Sequence, residues 1–368
     1  MKKKLLIFHP TIAPYRIDFF NDLYKAFDTR VCLQYWNLRD QTFDYEKIYA
    51  QFAFKPYYLK EVLKLGARSI WGGIWKHLDE FHPDVVLVSE YGITALMVLL
   101  HRLLKRKTYK VISICDDSYD MLAEKNEFSI LHRIARRTVV PGLDDLVLVE
   151  PKATEWYQQR YGKGICFPII KKEDEARADY ARVLEDSKLL RKEYALDEKK
   201  VYLFVGRLID LKNVDTAIRA FARLDQNKNV FVIVGDGPEC NKLKTIAGEL
   251  NTNVIFTGRL EGDALNAWYN VADIFVLASY REPFGAVTNE ALLAGCYALV
   301  SNKAGSSCLI EEGVNGYTFS PMDMEELATR MSEIADYAVD YDANGLKKNQ
   351  MLVSYDEYMQ NMVNTLNN

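Results

Sequence analysis

Short apolar segments separated by longer amphipathic segments run through most of the chain, and this alternation limits the possible folds more than any other feature. The apolar segments have strand length and lack the polar alternation of a half-exposed strand. Parallel strands covered by helices on both faces have this composition. The pattern therefore predicts an α/β fold with doubly wound parallel sheets. The predicted strands cover 4–8, 31–35, 85–88, 110–114, 146–149, 201–205, 230–234, 253–257, 274–277 and 297–301.

The length of the chain, 368 residues with 49% hydrophobic side chains, is sufficient for two domains with separate cores. A charged, helix-favouring segment at 171–197 contains no Gly or Pro and predicts an exposed helical linker. We therefore predict an N-terminal Rossmann-like domain at 1–170 and a C-terminal Rossmann-like domain at 198–353. One further helix is predicted at 354–368.

Charge, apolar runs and cysteines exclude several classes of protein. Residues 1–170 hold 25 Lys and Arg against 20 Asp and Glu, a balance too weak for nucleic acid but suited to anionic lipid or phosphate. No apolar run has the length of a signal peptide core or a membrane span, so we expect a cytoplasmic protein. The six cysteines are scattered, which favours a reducing compartment and argues against structural zinc.

The first motif that suggests chemistry follows the predicted strand at 201–205. Gly206 allows a sharp turn, and Arg207 and Lys212 flank a loop that precedes a helix. Because the free amides of a helix N-terminus attract anions, two cations beside them suit a diphosphate. The alternative is an ordinary strand-end turn with two solvated cations.

A second motif places Glu282 and Glu290 on either side of a strand-to-helix turn. Pro283 and Gly285 fix this turn, so that the amides of 284–287 point outward at the start of the next helix. Glu290 lies about one turn into that helix, where a carboxylate can accept hydrogen bonds from a sugar or ribose diol. The alternative is that both acids only complement the helix dipole.

Two further glycine turns end neighbouring strands. One is Gly-Asp-Gly-Pro at 235–238, and the other is Thr-Gly-Arg-Leu at 257–260. Each is only a good turn by itself. Their position on the same predicted sheet edge as the first two motifs gives them weight.

Taken together, residues 201–320 resemble the donor-binding domain of glycosyltransferase family 4, the retaining enzymes with the GT-B fold. The resemblance rests on five motifs in the expected order, at 206–212, 235–238, 256–260, 282–291 and 313–316. It implies two Rossmann-like doubly wound domains that face a cleft. It also implies that the terminal helix at 354–368 packs back on the N-terminal domain.

The resemblance also implies roles for individual residues. Arg207 and Lys212 would bind the donor diphosphate, and Glu282 would contact the donor sugar and distal phosphate. Glu290 would hold the ribose hydroxyls. The remaining donor-binding residues implied are Gly206, Gly237, Arg259, Leu260, Phe284, Gly285, Ala286 and Val287.

The N-terminal half resembles the family less closely. Pro14, Tyr15 and Arg16 are similar to the opening motif of many bacterial polysaccharide glycosyltransferases, on the acceptor side. Relatives carry a histidine where this chain has Asp116 and Asp117, so either aspartate is a candidate for that role. An Asp pair also allows a metal site, but two fixed cations on the diphosphate make a metal redundant. We therefore expect neither a metal nor a cofactor.

The implied activity is retaining transfer of a sugar from a nucleoside diphosphate to a hydroxyl of a glycan or lipid-linked acceptor, in cell-surface polysaccharide biosynthesis. Peripheral contact with the inner membrane face is expected through the basic segments at 101–107 and 133–137. One alternative is an epimerase or phosphorylase on the same fold. Another is a catalytically silent protein that binds sugar nucleotides.

Overall fold

A computed structural model describes residues 2–37, 45–65, 68–123 and 130–368 of the chain. Two compact units are present, each with its own parallel sheet and its own buried core. Unit 1 comprises Met1–Ile169 together with Asp356–Asn368, and unit 2 comprises Ile170–Tyr355. The predicted fold class, two doubly wound α/β domains, is confirmed.

Unit 1 contains a seven-stranded sheet and a separate strand pair. Its strands are β1 (Lys4–His9), β2 (Asp28–Leu33), β3 (Tyr57–Tyr58), β4 (Lys60–Leu65), β5 (Arg68–Gly72), β6 (Val85–Ser89), β7 (Lys110–Cys115), β8 (Asp145–Leu148) and β9 (Ile165–Cys166). The order in the large sheet is β3-β2-β1-β6-β7-β8-β9, and all of its pairs are parallel. The β4 and β5 strands form an antiparallel pair.

The helices of unit 1 that precede residue 170 cover the apolar faces of this sheet. They are α1 (Ile17–Ala26), α2 (Tyr45–Tyr49), α3 (Ile74–Phe81), α4 (Ile93–Leu104), α5 (Tyr119–Ala123), α6 (Ile130–Val139) and α7 (Pro151–Tyr161). Strand residues such as Leu6, Val86 and Leu146 are fully buried beneath them. Burial on both faces explains why these strands are continuously apolar in sequence.

Unit 2 contains a six-stranded sheet in which all pairs are parallel. Its strands are β10 (Lys200–Val205), β11 (Asn229–Val234), β12 (Val254–Gly258), β13 (Ile274–Leu277), β14 (Tyr297–Ser301) and β15 (Gly316–Phe319). The order is β12-β11-β10-β13-β14-β15. The later helices are α8 (Glu173–Arg182), α9 (Leu184–Glu193), α10 (Val214–Phe221), α11 (Cys240–Glu249), α12 (Asp263–Val271), α13 (Ala286–Leu293), α14 (Met324–Glu333) and α15 (Tyr355–Asn367).

The segment at 171–197 forms α8 and α9, which lie within unit 2 and pack on α12. Tyr180, Val183 and Ser187 are buried in this packing. Most of the charged residues that suggested an exposed linker lie on the outer faces of the two helices, but Arg177 and Arg191 are half-buried and donate to the backbone carbonyls of Leu293 and Val271.

The α15 helix follows unit 2 in sequence, but from Asp356 onward it belongs to unit 1. Met359, Met362 and Leu366 form its buried face, at the spacing of successive helical turns. The Tyr358 ring lies 6.1 Å from the ring of Phe167, which is also in unit 1.

The strand order in each sheet places a topological switch point beside its first strand. In unit 1 the chain turns to opposite sides of the sheet at β1 and β6, and in unit 2 at β10 and β13. Doubly wound sheets bind ligands outside the carboxyl ends of the strands at such points. Gly206 follows β10 and Glu282 lies in the turn after β13, so both predicted motifs flank the switch point of unit 2.

All ten strands predicted from the sequence are present, with ends shifted by up to three residues. The structure adds β3, β4, β5, β9 and β15. The β3 and β9 strands have only two residues each, and charged residues interrupt β4, so these three lack the apolar signal of a central strand.

Candidate functional site

The loops after β10 and β11 approach each other so closely that only glycine fits between them. A Cβ atom on Gly235 would clash with the carbonyl oxygen of Gly206, and one on Gly237 would clash with that of Leu208. Backbone hydrogen bonds join the same loops, from the Leu208 amide to the Asp236 carbonyl at 2.9 Å and from Glu239 to Leu208 at 3.0 Å. Gly235 and Gly237 therefore allow the close approach of the two loops, and the backbone bonds of Asp236 and Glu239 hold the predicted phosphate loop in place.

Arg207 and Lys212, the predicted diphosphate ligands, differ in their surroundings. The Arg207 side chain is exposed and has no hydrogen-bond or ion-pair partner in the part of the chain that the structure describes. Lys212 Nζ forms an ion pair with a carboxylate oxygen of Glu282, and each side chain is only 16% exposed. The two motifs predicted to share a ligand are thus already in contact across the switch point.

Asn213 fixes the end of the phosphate loop. It is 1% exposed and adopts a left-handed backbone conformation, with φ of 53°, immediately before α10. Its Nδ2 donates to the carbonyl oxygens of Ala278 and Pro321, at 3.1 and 3.0 Å. A backbone bond from Tyr280 to Leu211, at 3.0 Å, adds a second link between the β10 and β13 loops.

The turn between β13 and α13 has the rigid geometry expected from its sequence. Gly285 precedes α13 with φ of 93°, a conformation that favours glycine. The Ser306 amide donates to the Phe284 carbonyl at 2.7 Å, which ties the turn to the loop after β14. Phe284 is 2% exposed, so its ring belongs to the core and only its backbone can face a ligand. Ala286 and Val287 open the helix, where amides have no intrahelical carbonyl partner.

Glu290 lies on α13, and both of its carboxylate oxygens have a partner. Tyr269 donates its hydroxyl to Oε2 at 2.9 Å, and Lys171 Nζ lies 2.7 Å from Oε1. The carboxylate is accessible in part, since the Glu290 side chain is 17% exposed. A helix-dipole role does not require these partners.

Arg259 and Leu260 follow β12, the edge strand of the sheet. Arg259 is exposed and forms an ion pair with Glu261, and Leu260 is half-buried. The order of strands places them two strands away from the Arg207 loop along the same carboxyl edge. They occupy the far end of the candidate site.

The edge of unit 2 therefore combines the exposed guanidinium of Arg207, an accessible lysine–glutamate pair and the N-terminus of an α-helix. These groups suit an anion with several oxygens, because cations and free amides both favour negative charge. Glu290 supplies a nearby acceptor for hydroxyl groups. The arrangement fits a diphosphate that is attached to a polyhydroxyl group.

At the corresponding edge of unit 1, three of the five predicted acceptor-side residues form one turn of 3-10 helix, Pro14–Arg16, before α1. Arg16 is buried and forms an ion pair with Asp116, whose side chain is half exposed. Pro14 and Tyr15 lie in the same turn, so the structure links the opening motif to the aspartates that follow β7. Asp116 is engaged as an ion-pair partner.

Asp117 is the more deeply buried of the two aspartates. Its Oδ2 accepts hydrogen bonds from the hydroxyls of Tyr91 and Tyr157, at 2.9 and 2.6 Å. Burial raises the pKa of Asp117, but hydrogen bonds from His132, Tyr157 and Tyr91 lower it further, so the net pKa lies below the ordinary value. Asp117 is therefore an ionised carboxylate held in a fixed position.

His132, on α6, lies beside Asp117. Its Nε2 lies 3.8 Å from Asp117 Oδ1, and it also contacts the Tyr91 hydroxyl. His132 is far from Asp117 in sequence, and only the packing of α6 against the strand ends brings the two together. The Asp pair at 116–117, which stands where relatives carry a histidine, thus has a histidine neighbour from another element.

Glu90 is a candidate residue that sequence reasoning missed. It directly follows β6 and adopts a left-handed conformation, with φ of 58°, that glutamate rarely takes. The Ser113 hydroxyl donates to its carbonyl at 2.8 Å, and its own amide donates to Ile114 at 2.8 Å. Burial, with Asp117 and Asp116 nearby, raises the pKa of Glu90 to about 8. The available sequence signal was a charged residue directly after the end of β6, two positions after Val88, the last apolar residue of that strand.

A metal could in principle bind in unit 1, because ligand atoms of Glu90, Cys115 and Asp117 all lie within 4.8 Å of one another. The chemistry of these donors does not favour one. Burial and the neighbouring Glu90 raise the pKa of the Cys115 thiol well above its ordinary value, whereas metals bind the thiolate. The imidazole of His9, at the end of β1, is likewise uncharged at neutral pH, because burial and then the charge of Arg16 lower its pKa to about 4.

Part of unit 2 matches a known protein family. Residues 186–348, most of unit 2, match the family described as glycosyl transferases group 1. An uncharacterized glycosyltransferase of Methanocaldococcus jannaschii is 34% identical over 157 residues, covering 41% of this chain and 40% of its own. The sulfoquinovosyl transferase of Arabidopsis thaliana is 27% identical over 294 residues, which cover 75% of this chain and 54% of its own. The aligned regions thus span about half or less of these curated relatives.

Solved structures match over the whole chain. The Anabaena protein HepE in complex with UDP and glucose has a TM-score of 0.72 at 16% identity, with 99% of each chain covered. The lipopolysaccharide outer core galactosyltransferase WaaB in its apo form has a TM-score of 0.69 at 16% identity, covering 98% of this chain and 99% of its own.

The fold is the GT-B architecture of these solved glycosyltransferase structures. The match to glycosyl transferases group 1 lies within unit 2, and the residues at the switch point of unit 2 fall inside the matched region.

Proposed function

We propose that this protein transfers a sugar from a nucleoside diphosphate sugar to a hydroxyl of a glycan or lipid-linked acceptor, with retention of the anomeric configuration. The observation that carries the proposal is the contact between Lys212 and Glu282 across the switch point, beside the exposed Arg207. HepE was solved with UDP and glucose. A mannosyltransferase of Corynebacterium glutamicum, 36% identical over 135 residues, depends on GDP-mannose. Both bases are therefore candidates here.

Arg207, Lys212 and the first amides of α13 would bind the diphosphate. In the resting protein Lys212 neutralises Glu282, and an incoming phosphate gives Lys212 a second anionic partner. Negative charge grows on the diphosphate as the glycosidic bond breaks, and fixed cations that face this charge stabilise the transition state. Glu282 is then available to accept hydrogen bonds from the donor sugar.

The chemical step needs no nucleophile from the protein in this proposal. The bond between the anomeric carbon and the diphosphate oxygen breaks, and the acceptor oxygen bonds to the same face of the sugar. The acceptor proton passes to a phosphate oxygen, and the nucleoside diphosphate leaves. We propose that no metal is required, because Arg207, Lys212 and the α13 amides supply the positive charge.

The acceptor is proposed to come from a membrane surface, because two helices of unit 1 expose apolar faces. The α4 helix exposes Leu96, Leu100, Leu103 and Leu104, at the spacing of one helical face. Lys105, Arg106 and Lys107 follow directly and are exposed. None of the described helices is both long and apolar enough to pass through a bilayer. Peripheral attachment at the cytoplasmic face would use leucine burial together with lysine and arginine attraction to anionic lipid.

The α6 helix repeats this arrangement. Ile130, Leu131 and Ile134 are exposed, and Arg137 is exposed one turn further along the same face. The short helical turn at 140–142, which follows α6, lies beside α4, because Arg102 of α4 donates to the Gly142 carbonyl at 2.6 Å. The C-terminal end of α6 therefore adjoins α4 within unit 1. Attachment there suits a role in cell-surface polysaccharide biosynthesis.

A transfer assay tests the proposed activity. The protein is incubated with UDP-sugars and GDP-sugars and with a membrane extract that contains lipid-linked acceptors, and the products are analysed for linkage and anomeric configuration. Acceptor-dependent release of nucleoside diphosphate with a retained configuration supports the proposal. Conversion of the donor without any acceptor would identify an epimerase instead, and binding of the donor without turnover would identify a silent binding protein.

A further inference from the structure

The carboxylate of Glu290 is held from two sides by two different elements. Tyr269, on α12, donates its hydroxyl to Oε2 at 2.9 Å. Lys171, which precedes α8, places Nζ 2.7 Å from Oε1. Each oxygen therefore has one fixed partner, and the plane of the carboxylate is defined within unit 2.

This arrangement leaves one acceptor position free on each oxygen, because an ionised carboxylate offers about four acceptor positions, two per oxygen. A pair of adjacent hydroxyls can occupy the two free positions together. A carboxylate with only one fixed partner could rotate and would present a less defined pair. The geometry therefore favours a ligand with a vicinal diol.

Tyr269 is suited to this task because it is a permanent donor in a rigid place. Its side chain is 1% exposed, and burial together with the Glu290 charge keeps its hydroxyl pKa well above the ordinary value. Lys347 Nζ donates to the Tyr269 carbonyl at 2.9 Å, at the end of α12. The hydroxyl is therefore protonated and fixed at all ordinary pH.

We propose that Tyr269 and Lys171 are positioning residues that orient Glu290 to accept both ribose hydroxyls of a nucleoside diphosphate. This inference rests on the proposed function, which makes a nucleoside diphosphate the ligand of unit 2. It adds that discrimination between ribose and 2′-deoxyribose depends on two side chains that need not touch the nucleotide.

Tyr180 provides a matched control within the same cluster. It is also buried, its ring centroid lies 6.3 Å from that of Tyr269, and its hydroxyl also donates to Glu290. It donates, however, to the backbone carbonyl, at 2.9 Å, and not to the carboxylate. Removing the Tyr180 hydroxyl should affect stability as much as removing that of Tyr269, without releasing the carboxylate.

The test measures binding of UDP and GDP and of their 2′-deoxy analogues to the full chain by titration calorimetry. For the base that binds, the wild type should prefer the ribonucleotide about tenfold or more, the value of one hydrogen bond to a charged group. In Tyr269→Phe and Lys171→Met the preference should fall below about threefold, because the carboxylate loses its fixed plane. Tyr180→Phe should keep the wild-type preference for the ribonucleotide despite a similar fall in Tm. Lys171→Arg retains a cation at this position, and so its preference should be close to that of the wild type, unlike that of Lys171→Met.

The outcomes separate this inference from the function on which it rests. If the wild type binds neither UDP nor GDP, the proposed function fails and the inference fails with it. If the wild type binds one of them and both positioning variants keep the full tenfold preference, only the inference is overturned. A Tyr180→Phe variant that loses the preference as fully as Tyr269→Phe would also overturn it, since the effect would then be structural.

Discussion

The polar residues at the switch points of the two sheets lie at equivalent edges, but their environments differ. In unit 2 the groups form separate pairs that solvent can reach, such as Lys212 with Glu282 and Lys171 with Glu290. In unit 1, Asp117 and the tyrosines Tyr91 and Tyr157 form one buried hydrogen-bond cluster, and the half-buried Glu90 lies beside it. Accessible pairs can exchange a partner for a ligand, whereas a buried cluster holds fixed protonation states. The first edge is suited to binding charge and the second to holding a proton.

The largest expected effect tests the charge-binding edge of unit 2. Replacement of Arg207 or Lys212 by Ala should lower the transfer rate roughly 10²–10³-fold, as loss of a fixed charge donor to a transition state does. The two variants should differ in stability. Arg207→Ala should leave Tm unchanged, but Lys212→Ala leaves Glu282 without its cation and should lower Tm by a few degrees, about 1 kcal/mol for a domain of this size.

Steady-state kinetics and thermal unfolding measure both quantities. Arg223→Ala is the matched control, since Arg223 is a surface arginine of unit 2 that pairs with Glu325. Turnover close to wild type in both Arg207→Ala and Lys212→Ala would show that charge is not bound at this edge.

A second contrast between the units lies in their exposed leucines. Replacing Leu103 and Leu104 by Ser should weaken binding to vesicles with anionic lipid about tenfold or more, because burial of a leucine contributes about 1.5–3 kcal/mol. Replacing Lys105, Arg106 and Lys107 by Ser should weaken binding at low salt, where each cation contributes about 1 kcal/mol, and much less at high salt.

Vesicle sedimentation at two salt concentrations measures this binding. Leu189→Ser is the matched control, since Leu189 is a 62% exposed leucine of unit 2. If the wild type does not sediment with vesicles even at low salt, the proposed attachment is wrong. If Leu189→Ser weakens vesicle binding as much as the unit 1 variants do, the membrane-binding surface does not belong to unit 1 alone.

A smaller effect tests the proton-holding edge of unit 1. Because the pKa of Glu90 rises from 4.5 in the unfolded chain to about 8 in the fold, the folded state binds the extra proton between these values. Stability contributed by this proton is full below about pH 4.5 and is lost as the pH rises toward 8. Glu90→Gln cannot ionise, so its Tm should fall less than that of the wild type between pH 5 and pH 8.

Calorimetric unfolding across this range gives the comparison, with an expected difference of several degrees at pH 8. The pKa of Asp117 lies below its ordinary value because hydrogen bonds from His132, Tyr157 and Tyr91 outweigh the effect of burial, so Asp117 stays ionised across this range. Parallel Tm curves for the wild type and Glu90→Gln would mean that Glu90 is already ionised at pH 5, and the contrast between the two edges would disappear.

The smallest expected effect is none. Excess EDTA should leave the transfer rate unchanged, because the cations of unit 2 take the place of a metal. Loss of activity with EDTA and its recovery with Mg²⁺ or Mn²⁺ would contradict this. Glu90, Cys115 and Asp117 would then be the first residues to substitute, since their ligand atoms already lie together.

The two edges differ in how far they could be predicted from the sequence, because one depends on local backbone constraints and the other on tertiary contacts. The edge of unit 2 was readable because backbone loops that nearly touch require glycine, and Gly235 and Gly237 stand where any side chain would clash. Such constraints act locally and leave motifs. The contact of Lys212 with Glu282 could also be expected, because the two residues follow β10 and β13, which are adjacent strands in the sheet.

The edge of unit 1 was only partly readable. The raised pKa of Glu90 depends on carboxylates that follow a different strand, and His132 reaches Asp117 only through the packing of α6. The exposed stripe on α4 was also hidden, because a helix with leucines on two faces gives no sign in sequence of which face is buried. These properties arise from tertiary neighbours and not from local spacing.

The assignment of residues 356–368 to unit 1 has a consequence for how the chain matures during synthesis. A ribosome releases unit 2, which is one continuous segment, before it releases the helix that buries Met362 and Leu366 against unit 1. Unit 2 can therefore reach its final packing first, although domains generally fold in the order of their synthesis. Until α15 arrives, unit 1 exposes the apolar surface that this helix later covers. A nascent chain stalled before residue 356 would be a natural substrate for chaperones that bind such surfaces.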